Sequence, residues 1–150
     1  MKPKGLAVVG LGMALKPPAM ALGELQDEYR VIGAHSRSSD RRDAAAATYR
    51  LPTTGDLDAL VGDPSVEAAL ILTPPNSHKE IASRFLEAGK HVLLEKPIDV
   101  STDRAAEIVA LAEQNDRRLG IVLQHRCRTS SRALADLLHS GRLGRLSAAN

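Results

Sequence analysis

The stretch LAVVGLG, residues 6–12, joins a short aliphatic run to a turn that contains two glycines. Such a run is typical of a strand that is buried in a parallel sheet. Gly10 permits a tight turn, and Gly12 permits backbone amides to approach a pyrophosphate at the positive end of the next helix. Turns after strands also contain glycine for conformational reasons alone. We predict that Gly10 and Gly12, with Met13 and Ala14 beside them, bind the phosphates of a dinucleotide.

Short aliphatic runs and longer amphipathic segments alternate along the rest of the chain, which is typical of repeated βα units. The predicted strands are residues 6–9, 30–34, 68–72, 91–94 and 119–123. The predicted helices lie within residues 18–29 and over 39–49, 56–61, 77–88, 102–115 and 130–139. Ser77 and Glu80 stand at the spacing of a capping box. We therefore predict an α/β fold, a Rossmann-type doubly wound parallel sheet.

The composition indicates a soluble globular protein, because 43% of the 150 residues are hydrophobic and 25% are charged. No apolar stretch approaches the ~18–20 residues that a membrane span requires. Residues 1–4 lead into an apolar run that already breaks at Gly10, so we predict no secretory signal. The single cysteine, Cys127, cannot form an intrachain disulfide. We expect a cytoplasmic protein that binds no membrane, and we predict no metal site.

Arginine is concentrated in residues 117–145, where Asp136 is the only acidic residue. Nucleic-acid binding would be one explanation. However, this segment contains no aromatic residue on which a base could stack, and the net charge of the whole chain is only +2. We favour a solvated face, or a surface for another domain, and predict no nucleic-acid partner.

The residues that follow the second predicted strand indicate which dinucleotide binds. An Asp or Glu at this point would accept hydrogen bonds from the ribose hydroxyls of NAD. The chain has Ser36 and Arg37 instead, and a guanidinium forms strong bonds to a 2′-phosphate. The alternative is that Arg37 is a solvated loop residue. We predict that the cofactor is NAD(P), with NADP favoured over NAD.

The segment TPPNSH, residues 73–78, ends another predicted strand. Thr73, Pro74, Pro75 and Asn76 are expected to form a stiff wall beside the cofactor, because proline restricts the backbone. His78 would lie in the first turn of the following helix, whose positive end favours a neutral imidazole that could bond a ribose or phosphate. A surface histidine without a role is the alternative.

Glu95 and Lys96 leave the end of the apolar run at residues 91–94 and precede Pro97. Charged groups there are costly unless they act at the sheet edge, where ligands of open parallel sheets bind. The Lys96 ammonium could orient a substrate oxygen and stabilise its developing negative charge. Glu95 could pair with Lys96 or bond the nicotinamide ribose. A surface ion pair is the alternative; we predict that Lys96 is catalytic.

These motifs resemble, in order and spacing, those of the amino-terminal cofactor domain of the Gfo/Idh/MocA (glucose-fructose oxidoreductase / inositol dehydrogenase) family. The resemblance covers essentially the whole chain. It rests on Glu95-Lys96-Pro97, on Thr73 to Asn76 with His78, on Gln124 with Arg126, and on the GRLG segment at residues 141–144.

The resemblance implies a Rossmann domain in residues 1–124, with residues 125–150 forming the junction and the start of a second, α+β substrate domain. It implies NAD(P)-dependent oxidation or reduction of a sugar, cyclitol or related polyol, and a homo-oligomeric full-length protein. The family lysine that matches Lys96 contacts substrate and nicotinamide, and the bond before Pro97 can be cis. Gln124 and Arg126 would contribute to cofactor binding at the domain junction.

The chain also departs from the family pattern. Leu15 replaces the third glycine of the turn, prolines occupy the helix entry at residues 17–18, and Cys127 replaces an aromatic residue. We expect Cys127 to be a small buried hydrophobe. The family's second-domain aspartate and histidine have no counterpart among these residues. We therefore expect the 150-residue chain to bind cofactor without turnover.

Two other classes of protein share some of these features. A short-chain dehydrogenase requires a Tyr-x-x-x-Lys pair, and neither Tyr29 nor Tyr49 has a lysine four residues later. A non-catalytic NAD(P)-binding or sensing module remains the alternative to an enzyme.

Overall fold

Six parallel strands form one sheet in the computed structural model, which describes residues 2–145 and 147. The strands are β1 (Lys4–Val9), β2 (Tyr29–His35), β3 (Thr53–Thr54), β4 (Ala68–Ile71), β5 (His91–Glu95) and β6 (Leu119–Val122). Their order across the sheet is β3-β2-β1-β4-β5-β6. This is the strand order of the Rossmann fold, so the predicted fold class is confirmed.

Six α-helices connect or follow the strands in these described residues: α1 (Lys16–Glu24), α2 (Ser39–Tyr49), α3 (Leu57–Gly62), α4 (His78–Glu87), α5 (Thr102–Gln114) and α6 (Thr129–His139). Short 3-10 turns occupy Met13–Leu15, Pro75–Ser77 and Gln124–Cys127. In the described part of the chain, no helix combines the length and the apolar character that a bilayer span requires.

The sheet is covered on both faces because successive side chains of a strand point to opposite sides. Val8 packs in a cluster with Ala19 of α1 and Ala45 of α2. Its neighbour Val9 packs in a second cluster with Phe85 of α4, and that cluster also includes residues of α3 and α5. The chain is therefore wound around both faces of the sheet, with α1 and α2 on one side and α3, α4 and α5 on the other.

Helix α1 lies earlier in the chain than the sequence predicted. It begins at Lys16 and ends at Glu24, whereas the predicted helix lay within residues 18–29. Pro17 and Pro18 fit into its first turn, where proline's missing N–H is not needed. Tyr29 was placed within the limits of this helix and instead begins β2.

The predicted capping box at the start of α4 is absent. Ser77 has φ −104° and ψ −2°, which is not the extended conformation of a typical N-cap. Its hydroxyl donates to the Pro74 carbonyl at 2.8 Å, and Glu80 pairs with Arg104 at 3.4 Å. The 3-10 turn before α4 therefore replaces the expected cap.

The described residues after β6 are mostly exposed. None of the residues of α6 is buried, and Leu134 is 56% exposed. Cys127 is also exposed, so the expectation that it is a small buried hydrophobe was wrong. The packing of a residue in a turn after the last strand depends on its neighbours, and sequence pattern alone does not give them.

Gly5 provides a test of how closely β1 packs against the chain that precedes β4. A Cβ at this position would overlap the Ser65 carbonyl oxygen, and backbone cannot move aside cheaply. Gly5→Ala should lower the free energy of unfolding by ~3 kcal/mol or more. Gly23→Ala in α1 is the matched control, since nothing lies within 4 Å, and it should stabilise the protein by about 0.5–1 kcal/mol. Urea unfolding of both variants makes the comparison, and equal stability would contradict the packing.

Candidate active site

A cleft of about 800 Å³ lies at the carboxyl ends of the central strands. It opens where β1 and β4 lie side by side and the chain connections leave in opposite directions, which is where open α/β sheets bind ligands. Eleven predicted site residues line it: Gly10, Gly12, Met13, Ala14, Ser36, Arg37, Thr73, Pro74, Pro75, Glu95 and Lys96.

Gly10 forms the turn at the end of β1. Its N–H donates to the His35 carbonyl at 3.0 Å, and its φ of 102° lies in the region that favours glycine. A Cβ here would lie 2.8 Å from the Leu72 carbonyl carbon and the Thr73 nitrogen. Glycine is therefore required for the end of β1 to lie this close to the end of β4.

Gly12 faces open space at the start of the following 3-10 turn. A Cβ added here would meet only the Arg41 guanidinium, at 3.9 Å. The Leu15 N–H donates to the Gly12 carbonyl at 3.1 Å, and the Leu15 side chain is buried in the cluster that contains Val8. Leu15 can thus replace the third glycine of the motif because its side chain packs in the core.

Two guanidinium groups that follow β2 in the chain lie at the cleft. Arg37 and Arg41 are both exposed and line it. Arg42 serves the backbone instead, because it donates to the carbonyls of Ser36 at 2.7 Å and Arg37 at 3.2 Å. Arg42 therefore holds the loop in shape, and Arg37 and Arg41 remain available to a ligand.

The sequence prediction missed Arg41. Ser38 caps α2, and its hydroxyl accepts from the Arg41 N–H at 3.3 Å, so Arg41 lies in the first turn of the helix beside the loop. The position of Arg41 could have been predicted from the sequence, because Ser38 stands three residues before it at the start of a predicted helix.

His35 also lines the cleft and was not predicted as a site residue. Burial is the main reason why the pKa of its imidazole lies below the usual 6.5. A hydrogen bond with the Gly55 backbone acts in the opposite direction, and the charges of Arg42 and Arg37 lower the pKa further. Burial therefore favours the neutral form of the imidazole at the end of β2.

The wall at the end of β4 is formed by Thr73, Pro74 and Pro75. Two other predicted members of this wall lie elsewhere. Asn76 does not line the cleft, and its carbonyl accepts from the Arg104 guanidinium at 3.3 Å. His78 is fully buried, with both ring nitrogens beside backbone carbonyls, so it does not present a nitrogen to the cleft.

Lys96 follows β5 directly and is exposed at the other end of the cleft. Glu95 is the last residue of β5 and also lines the cleft. Among the residues that the structure describes, no ion pair joins the two side chains, so the alternative of a surface ion pair is not observed. The Lys96–Pro97 peptide bond is cis, as the resemblance implied.

Gln124 and Arg126 lie outside this cleft, in the 3-10 turn after β6. Arg126 lines a second cavity, of about 550 Å³, with residues of α6. The prediction that these two residues contribute to cofactor binding gains no support from their positions.

Comparison with known proteins agrees with this geometry. Residues 4–122 match the model of the Gfo/Idh/MocA family, described as an oxidoreductase family with an NAD-binding Rossmann fold. The chain belongs to this family. It is therefore a member of an oxidoreductase family, and the predicted family membership is confirmed.

Two named relatives are each 36% identical to the chain. They are trans-1,2-dihydrobenzene-1,2-diol dehydrogenase of Oryctolagus cuniculus, over 81% of this chain and 37% of its own length, and 1,5-anhydro-D-fructose reductase of Ensifer adhaerens, over 77% and 35%. The solved structure of apo scyllo-inositol dehydrogenase from Lactobacillus casei superposes with a TM-score of 0.86 at 25% identity, over 95% of this chain and 43% of that one. The chain thus spans about two fifths of the length of these proteins.

Proposed function

We propose that this chain is the cofactor-binding part of an NAD(P)-dependent oxidoreductase. The reaction is hydride transfer between the nicotinamide and a small sugar, cyclitol or related polyol or carbonyl compound. One observation supports this proposal above the others: the Gly10–Gly12 turn and Lys96, which are far apart in the sequence, line one cleft at the carboxyl edge of the sheet.

The cleft has chemistry that fits a dinucleotide. The open space at Gly12 leaves room for a pyrophosphate against the turn at Met13–Leu15. The Thr73 hydroxyl is buried, and within the described residues it has no hydrogen-bond partner, so a bound molecule could satisfy it. The proposed cofactor would extend from Arg37 and Arg41 at β2 to Lys96 at β5, across three strand spacings or roughly 14 Å.

Lys96 is the residue that we assign to the chemistry. The nicotinamide, when bound, supplies or accepts the hydride. The ammonium of Lys96 would donate a hydrogen bond to the substrate oxygen and stabilise the negative charge that develops there. Glu95 would bond the nicotinamide ribose. No residue of this chain is assigned as the proton donor or acceptor, so we propose that the 150 residues alone bind cofactor without turnover.

We also propose that NADP is favoured over NAD. A 2′-phosphate would lie between the guanidinium groups of Arg37 and Arg41, both of which are at the cleft and free of hydrogen bonds to the loop backbone in the described structure. Each could form charge-assisted bonds to the phosphate. The short hydroxyl side chain of Ser36 adds no negative charge that would repel it.

Gly12→Val separates ligand binding from folding. A Cβ at this position meets the flexible end of Arg41 at 3.9 Å and no other described atom within 4 Å, so stability should stay within about 1 kcal/mol of wild type. The new side chain would nevertheless occupy the pyrophosphate position, and the Kd for NADPH should rise at least tenfold. Gly62→Val, at the far end of α3 and also in open space, is the control and should bind normally. Fluorescence titration with NADPH measures both, and unchanged affinity in Gly12→Val would contradict the proposed site.

Arg37→Ala and Arg41→Ala test cofactor preference. Each should weaken NADPH binding by about 10-fold or more, since a hydrogen bond to a charged group contributes ~1.5–3 kcal/mol. Affinity for NADH should change less than threefold. Arg30→Ala is the matched control, because Arg30 is exposed at the opposite end of β2. Equal affinity of wild type for NADH and NADPH, or equal losses for both cofactors in the variants, would overturn the preference.

A further inference from the structure

The loop that begins with Lys96 is held by a buried histidine on a different element. Residues 96–101 connect β5 to α5. The Nδ1 atom of His78 lies 3.1 Å from the Pro97 carbonyl oxygen and 3.0 Å from that of Ile98. Because carbonyl oxygens only accept hydrogen bonds, it is the tautomer with its proton on Nδ1 that donates to this loop.

The other side of the His78 ring reaches the wall of the cleft. Its Nε2 atom lies 2.8 Å from the carbonyl oxygen of Thr73, the first wall residue after β4. The ring is fully buried, and α4, which begins at His78, packs Phe85 and Leu86 into the core. The His78 ring therefore lies in a fixed position between the wall and the Lys96 loop.

A second contact holds the far part of the same loop. Arg104 of α5 donates through Nε to the Asp99 carboxylate at 2.8 Å, and the Asp99 side chain is fully buried. Burial opposes the charged carboxylate most strongly, but hydrogen bonds from Arg104 and from the Val100 N–H outweigh it and lower the pKa of Asp99. The same guanidinium donates to the Asn76 carbonyl, so this contact also joins the loop to the turn that includes the wall.

We propose that His78 is a positioning residue, which fixes the backbone of the Lys96 loop against the Thr73–Pro75 wall and so sets where the Lys96 ammonium lies in the cleft. This inference rests on the proposed function of Lys96. A lysine side chain has a long flexible stem, so a defined position for its ammonium requires a defined backbone beneath it. His78 and Arg104 together hold the loop at residues 97–99.

A merely structural role for His78 predicts a different result. Loss of a buried hydrogen-bonded ring would then lower global stability and speed amide exchange throughout the sheet. A positioning role predicts additional local opening of residues 98–101, beyond any change in the core. Restoring the Nδ1 donor alone should then restore the loop.

The experiment is amide hydrogen exchange by NMR on the 150-residue chain, with three variants at one position. His78→Phe keeps an aromatic ring without donors, His78→Asn places an amide N–H near the former Nδ1, and His78→Gln places it near the former Nε2.

His91→Phe is the matched control, because His91 Nδ1 accepts from the Arg118 N–H at the opposite end of β5. The Val100 amide, bonded to Asp99, reports on the loop, and the Val8 amide reports on the core.

In His78→Phe, exchange at Val100 should accelerate about tenfold or more relative to Val8, and His78→Gln should behave similarly. His78→Asn and His91→Phe should remain within threefold of wild type. If His78→Phe does not fold, the difference between the Asn and Gln variants decides the result. Equal exchange at Val100 in those two variants, or no local acceleration in any variant, would overturn the positioning role. The proposed function fails separately, if wild type does not bind NADPH in the fluorescence titration.

Discussion

The close approach of β1 and β4 at Gly10 is the constraint on which the site depends. The Leu72 N–H donates to the Val9 carbonyl at 2.7 Å, while a Cβ at Gly10 would overlap the backbone at Leu72 and Thr73. Because the chain leaves these two strands toward opposite faces of the sheet, a crevice opens between their ends. The glycine turn, the proline wall and the β5 end then surround one space, and a side chain at residue 10 would disturb that arrangement.

Each charged group around this space lies just beyond the end of a particular strand. Two guanidinium groups lie beyond β2, the Lys96 ammonium lies beyond β5, and the open glycine turn lies between them. The proposed cofactor NADP has its groups in the same order, with the 2′-phosphate at one end, the pyrophosphate in the middle and the nicotinamide at the other end. The buried side chains of His78 and Asp99 lie at the Lys96 loop, whereas the guanidinium end has exposed side chains.

Sequence reasoning predicted the residues whose position follows from strand topology. Gly10, Thr73 and Lys96 each come within two residues of the end of a strand, and the carboxyl ends of parallel strands meet at one edge. Sequence reasoning did not predict the side-chain positions that depend on how a helix or turn is rotated about its axis. The 3-10 turn at Pro75–Ser77 precedes His78, whose ring lies in the interior, and a capped first turn brings Arg41 to the cleft. The two-residue strand β3 is too short to show a periodic pattern, so it was missed as well.

The most direct test of the account is a map of amide chemical-shift changes when NADP⁺ is added to the labelled chain. The largest changes should fall on residues 10–14 and 36–41 and at Lys96, because one extended cofactor would contact all three segments. Changes confined to the opposite, amino-terminal edge of the sheet, such as those at Lys4 and His91, would contradict it. Changes that include the glycine turn but leave Lys96 unaffected would equally contradict the assignment of that lysine to the nicotinamide end.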